Sequence, residues 1–267
     1  MTFTTHRCAA ALIAGMSLWA AHARADIHGF GATTNEFAAN FMVNQTDPST
    51  PPSYVAATQT LQVTNQAHTE VRSVFAYASQ PVARFTASFT YTAADITYYF
   101  GNAFGVCLVL HNDPRGASAT GDYGGGLGFG SIAKSAAVSL EIDGGGTWSG
   151  VYANGVVGGG HAATAPIDLA SGHPMHVTLR YDGSFLTETI TDTVTLASFT
   201  PASYSIDIAS KVGGATAYVG FTATTSANGG AADQFLSDFE FSSVPAPASL
   251  TLLGGAGIAG LRRRRTP

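Results

Sequence analysis

Of 267 residues, 45% are apolar and only 11% are charged, with a net charge of −5. An average domain carries about 25% charged residues, so this chain is unusually uncharged, yet it has ample apolar material for a core and is no disordered polymer. Lys and Arg together number 12, four of them consecutive at 262–265; the body lacks the basic footprint that nucleic acid needs, and no nucleic-acid partner is expected.

Residues 1–25, MTFTTHRCAAALIAGMSLWAAHARA, open with His6 and Arg7, continue with an apolar run from Cys8 to Ala21, and end in the small-x-small steps Ala21-His22-Ala23 and Ala23-Arg24-Ala25. That order predicts a secretory signal peptide cut before Asp26. The alternative, a membrane anchor, needs about 20 apolar residues and the run is shorter. With the leader gone Cys107 is the remaining cysteine, so no internal disulfide is expected, and within FGVCLVL it reads as a small buried hydrophobe.

From 26 to 243 the chain reads as one domain of strands, at 60–65, 72–78, 83–92, 104–110, 136–143, 175–183, 185–195, 216–225 and 234–241. These runs are rich in β-branched and aromatic residues, and most alternate apolar and polar with period two. Asp182-Gly183 marks a tight hairpin turn. No helical stretch of comparable strength and no internal repeat interrupts them, which predicts an all-β, two-sheet sandwich or jelly roll. One residue breaks the pattern. Leu186 and Ile190 set an inward phase that also points Glu188 inward, so a paired carboxylate or a place at the sheet rim is expected, with the rim preferred and no function assigned.

The stretch 111–130, HNDPRGASATGDYGGGLGFG, has more glycine than a strand or helix tolerates. A phosphate cradle needs a following Lys-Ser or Lys-Thr and a helix, which are missing, and a calcium-binding glycine repeat needs recurring aspartates, which are missing too. A rigid loop that presents backbone N–H groups to a sugar survives. Further on, EID places Glu141 and Asp143 two apart on a strand and on one face, where they could hold a divalent cation or bond to loop amides, Arg115 or Arg180. His111, His161, His173 and His176 show no metal-ligand spacing, and no Gly-x-Ser-x-Gly elbow occurs.

Residues 244–267 join Val244, Pro245 and Pro247, an apolar stretch at 250–261, and Arg262, Arg263, Arg264 and Arg265. Such arginines stay on the cytoplasmic side of a membrane. The layout resembles the PEP-CTERM sorting signal of Gram-negative bacteria, with Ala246 where that motif usually has Glu. The resemblance implies a transient inner-membrane (transmembrane) anchor, an exosortase as processing partner, and a final location in the cell envelope or on the outer surface; a plain C-terminal anchor is the alternative.

Read together, LHNDPRG (110–116), GGGLGFGSI (124–132), AVSLEID (137–143), HVTLRYDG (176–183) and AYVGFTATT (217–225) resemble a legume-type (L-type) lectin domain in its bacterial form, and the resemblance spans most of 26–243. It implies a concanavalin A-like jelly roll of two antiparallel sheets with a sugar site in the loops at one end. Phe104 stands where the family has its sugar-binding Asp, and Gly125 and Gly126 are the candidates for the backbone donor. Asn112, Asp113 and Arg115 fall in the family's turn, where an Asx-type bond from Asn112 is expected. Glu141 and Asp143 match the family's metal ligands, which implies calcium, but GGGTWSG follows in place of the longer ligand loop, and calcium needs about six to eight oxygens.

The same EID is similar to the Glu-x-Asp-x-x-Glu of laminarinase-type hydrolases, whose second glutamate is replaced here by Gly146, so no enzyme is expected. The aromatic residues near the site are Phe104, Tyr123, Trp148 and Tyr152. The expected function is surface-directed carbohydrate binding, with exopolysaccharide as ligand, weak, metal-independent and driven by stacking. The alternatives are a structural matrix or adhesion protein that has lost its sugar, and the hydrolase.

Overall fold

The computed structural model describes residues 26–46, 51–98, 104–227 and 229–244. The signal expected at 1–25 and the tail from Pro245 onward lie outside them. In chain order come β1 (Ile27–His28), the helix α1 (Thr34–Asn40), β2 (Phe41–Gln45), β3 (Ser53–Val55), β4 (Thr60–Thr64), β5 (Val71–Ala76) and β6 (Gln80–Pro81). Next are β7 (Phe85–Thr97), β8 (Phe104–His111), β9 (Ser135–Asp143), β10 (Gly146–Ala153), β11 (His161–Ala163), β12 (Met175–Tyr181) and β13 (Phe185–Asp192). The last are β14 (Ser198–Phe199), β15 (Tyr204–Ser205), the helix α2 (Ile208–Val212), β16 (Thr216–Thr224) and β17 (Ala231–Ser243).

Two antiparallel sheets face each other. The back sheet runs β14-β13-β12-β7-β17-β4-β3 and the front sheet β11-β10-β9-β8-β16-β5-β2. All nine expected strands are present, and β12 and β13 are joined through 182–184, where Asp182 Oδ1 accepts the N–H groups of Ser184 and Phe185 at 2.9 and 2.8 Å. Among the described residues no helix is long and apolar enough to cross a membrane; the apolar stretch at 250–261 lies outside them.

Strand chemistry explains the layers. In β12 the alternate residues Met175, Val177, Leu179 and Tyr181 are buried between the sheets, while His176, Thr178 and Arg180 face outward. The front sheet behaves differently, because both of its faces are covered. Val106, Leu108 and Leu110 of β8 pack into the inter-sheet core, and Cys107 and Val109 enter a second cluster with Leu127, Phe129 and Ile132 of the 112–134 loop. Every residue of β8 is therefore buried, Cys107 among them as an unbridged thiol.

Glu188 is not at a rim. Only 1% of it is exposed, and Ser149 of the facing sheet sets its hydroxyl 2.8 and 2.7 Å from the two carboxylate oxygens. The inward phase was the correct part of the expectation, and a partner reaching across the core supplies what the rim was expected to provide.

Candidate functional site

One row of paired residues crosses the front sheet near its end. Thr224 of β16 lies opposite Gly105 of β8, Gly105 opposite Glu141 of β9, Glu141 opposite Trp148 of β10, and Trp148 opposite Ala163 of β11. Directly paired residues point to the same side of a sheet, and three strand spacings set Thr224 and Trp148 about 14 Å apart. Gly105 leaves no side chain between Thr224 and Glu141, and no other residue fits there: its φ is +154° and an added Cβ would lie 2.0 Å from the Leu140 carbonyl oxygen.

The glycine-rich loop is fastened over one end of this row. Thr224 Oγ1 donates to the Gly124 carbonyl at 3.0 Å and Thr222 Oγ1 to that of Leu127 at 2.8 Å. Most of the glycines serve the loop's own folding. A Cβ at Gly121 would meet the Gly130 carbonyl oxygen at 2.2 Å, and Gly126 donates its N–H to Tyr123 O while lying against Asp122. Gly125 differs, being exposed with nothing within 4 Å of an added Cβ. Tyr123 beside it is 58% exposed.

The turn before the loop is structural. Asp113 accepts from the Arg115 backbone N–H, Nε and Nη2 and from the Ala133 N–H, and the Arg115 guanidinium holds its carboxyl well below the usual range. The Asx-type bond thus belongs to Asp113. Asn112 instead donates across to the carbonyls of Val212 and Thr216.

Glu141 is buried under its neighbours. Its Oε1 accepts from Ser139 Oγ at 2.7 Å and Tyr152 OH at 2.6 Å, and its Oε2 lies 4.0 Å from His161 Nδ1. Burial and Glu141 keep the Tyr152 phenol protonated, far above its ordinary range. Trp148, half-buried, sets its ring 5.9 Å from that of His161. Sequence spacing missed His161, because the pairing of β11 with β10, and not chain distance, brings it to Glu141.

Two of the expected stacking residues are withdrawn from solvent. Phe104 is 0% exposed in the inter-sheet core and Tyr152 is 4% exposed in the cluster beneath the loop. Tyr123 and Trp148 keep open surface, one at each side of the row.

Asp143 also faces a different environment from the one a metal site needs. Gly146 pairs directly with Asp143, so β9 and β10 join through Gly144 and Gly145 alone, and Asp143 Oδ1 accepts the Gly145 N–H at 2.6 Å. Among the described residues no group of three His, Cys, Asp or Glu could hold a metal ion. The residues present do not fit the calcium site that the lectin resemblance implied, because the two-glycine hairpin supplies none of the further oxygen ligands that calcium needs.

Beyond Trp148 the hairpin opens on a cleft of about 400 Å³ lined by Tyr98, Asp143, Thr147, Trp148, Ile167 and Asp168. Tyr98 is 51% exposed, and partial burial with Asp168 nearby raises its phenol pKa.

Comparison with solved structures decides what this sandwich is. The fold is that of the legume lectins. The lectin from Bauhinia forficata in complex with GalNAc superposes with a TM-score of 0.61 at 17% identity, covering 82% of this chain and 97% of that one. The metal-free form of lectin I-B4 from Griffonia simplicifolia gives 0.62 at 19% identity over 78% and 94% of the two chains. Arcelin-5, a lectin-like defense protein from Phaseolus vulgaris, gives 0.60 at 15% over 78% and 93%. No family model and no curated protein matches the sequence. The concanavalin A-like jelly roll expected from the sequence is therefore the observed architecture.

Proposed function

We propose that this chain is an exported, surface-directed carbohydrate-binding protein of lectin type and not an enzyme. Its site is the end of the front sheet between the glycine loop and Trp148. The observation that carries the reading is the paired row from Thr224 to Trp148, which sets the exposed Tyr123 and Gly125 on one side of Glu141 and the half-open Trp148 on the other. Aromatic rings cover the apolar face of a sugar and leave its hydroxyls to backbone and carboxylate groups. The Bauhinia forficata lectin is bound to GalNAc and lectin UEA-II, of the same fold, to galactose, which supports the ligand class. Hydrolysis by a carboxylate pair lacks its second group, since Gly146 stands where it would be. An exopolysaccharide is the ligand that fits a protein sorted to the surface through its tail by an exosortase.

A second reading, a matrix or adhesion protein without sugar binding, draws on the burial of Phe104, which leaves no polar group at the position of the sugar-binding Asp. Glycan-array and calorimetric binding of the purified full chain separates the two. The expected result is weak binding that EDTA leaves unchanged and that falls about tenfold or more in Trp148→Ala with Tyr123→Ala. Binding abolished by EDTA, or surviving both substitutions, contradicts the proposed site, and binding to no glycan favours the matrix reading.

A further inference from the structure

The cleft beyond the β9–β10 hairpin has a chemistry of its own. Trp148 lies against the turn, its Cη2 atom 3.4 Å from where a Cβ on Gly146 would sit, so the glycine turn makes room for the indole. Tyr98, at the end of β7, supplies a second open aromatic group. Two carboxylates stand with these rings. Asp143 Oδ1 accepts the Gly145 N–H at 2.6 Å and Asp168 Oδ1 the Ala170 N–H at 2.9 Å, so each side chain is oriented by one oxygen while its other oxygen has no partner among the described residues. No Lys, Arg or His among the described residues lines the cleft. The volume, about 400 Å³, is within the range of small-ligand sites.

That combination discriminates among sugars by charge. An anionic sugar would bring its carboxylate or sulfate against two aspartates with no cation to offset them, and like charges in one site repel. A neutral sugar could stack on Trp148 and donate hydroxyls to the carboxylates, but it would not offset their charge. A protonated amine satisfies both, since an ammonium donates charge-assisted hydrogen bonds to carboxylates and is attracted to the face of an indole.

We propose that the cleft binds a hexosamine carrying a free, protonated amine, as found in a partly deacetylated amino-sugar polymer, with Asp143 and Asp168 as the ammonium acceptors and Trp148 as the stacking wall. The proposal rests on the carbohydrate-binding reading above and specifies its substrate class.

The test is calorimetry of the full chain at about pH 6, where the free amine of the hexosamine is protonated. The probes are a glucosamine tetramer, an N-acetylglucosamine tetramer and a galacturonate tetramer. The glucosamine tetramer is expected to bind about tenfold or more tightly than the acetylated one, with affinity falling as salt rises from about 0.05 to 0.5 M, and the galacturonate tetramer not to bind. Asp143→Asn and Asp168→Asn keep an oxygen for the turn amides, so the fold, checked by thermal melting, should survive. Each is expected to cost about tenfold for the glucosamine tetramer and little for the acetylated one.

Equal binding of the two hexosamine tetramers, or indifference to both Asn substitutions, overturns the proposal. If a neutral glycan binds and is lost in Trp148→Ala while the Asn variants bind it normally, this inference fails and the lectin reading stands. If no carbohydrate binds at all, the lectin reading fails with it.

Discussion

Ser149 sets one hydroxyl against both oxygens of Glu188 inside a core with no cation assigned to that carboxyl. A hydroxyl has one proton to give, so the second contact is best served by a carboxylic acid that donates back. Burial pushes the Glu188 pKa up to about 7, with the Ser149 bond opposing the shift. Tyr204 is the titratable neighbour, its phenol raised first by burial and then by Glu188. An acid whose folded pKa is raised from 4.5 to about 7 holds its proton more tightly when folded. Its stabilisation is therefore complete below about pH 4.5 and is lost as pH rises through 7. His111 works the other way: burial lowers its pKa from 6.5 to about 4, so its contribution falls as pH drops through that interval. The two slopes oppose each other across most of their shared range, and the wild-type profile hides both. Glu188→Gln exposes the difference. It should match the wild type near pH 5 and exceed it by up to about 3 kcal/mol near pH 8, read from urea midpoints at each pH. A constant difference across that range would show that Glu188 does not titrate in the core.

The loop between β8 and β9 gives the element-scale case, since its glycines divide into those that fold it and the one left open. Gly121→Ala must push a methyl into the Gly130 carbonyl, 2.2 Å from the ideal Cβ, and backbone cannot rotate away as a side chain would. A loss of about 1–3 kcal/mol is expected by chemical denaturation. Gly125→Ala meets nothing within 4 Å and should stay within about 0.5 kcal/mol of the wild type. Equal stability of the two variants would mean that the loop does not pack as described.

The same element shows why the site was less legible than the fold. Strands such as β12 and β13 announce themselves because one face is wet and the other dry, so period two survives in the sequence. On β8 and β9 the loop covers the second face, and nothing local tells Phe104, turned into the core, from a residue turned toward a ligand. Strand β10 escaped notice because Gly146 and Gly150 interrupt its alternation, although it carries Trp148 and Ser149, which serve the site and the core. Glu141 and Asp143 were correctly placed on one strand, but Tyr152 reaches Glu141 from β10 and Gly145 reaches Asp143 from the tight turn, which only the register reveals.

At the scale of the molecule, β7 separates two ends of different use. Its first residue, Phe85, pairs with Ser243, the end of β17, while its last, Thr97, is followed by Tyr98 in the aromatic cleft. Twelve extended steps span about 40 Å. Asp26 Oδ1 accepts the Ser243 N–H at 3.2 Å and the Val244 N–H donates to Arg84 O at 2.9 Å, so the chain enters and leaves the domain at the end away from the cleft. An anchor attached after Val244 would therefore hold the proposed binding end outward, as the proposed surface display requires. If the proposed sorting tail acts through its basic end, Arg262, Arg263, Arg264 and Arg265 keep that end cytoplasmic until an exosortase cuts near Val244, Pro245 and Pro247. Replacing the four arginines with Ser removes the stop, and the tail should slip through untrimmed. In a Gram-negative host that carries an exosortase, fractionation and intact mass of the recovered protein should show the wild type shortened and at the surface, and the variant at the length that retains its tail. A variant trimmed and sorted like the wild type would refute the sorting role of the arginines and leave the sandwich, with its two ends, to be displayed by some other attachment.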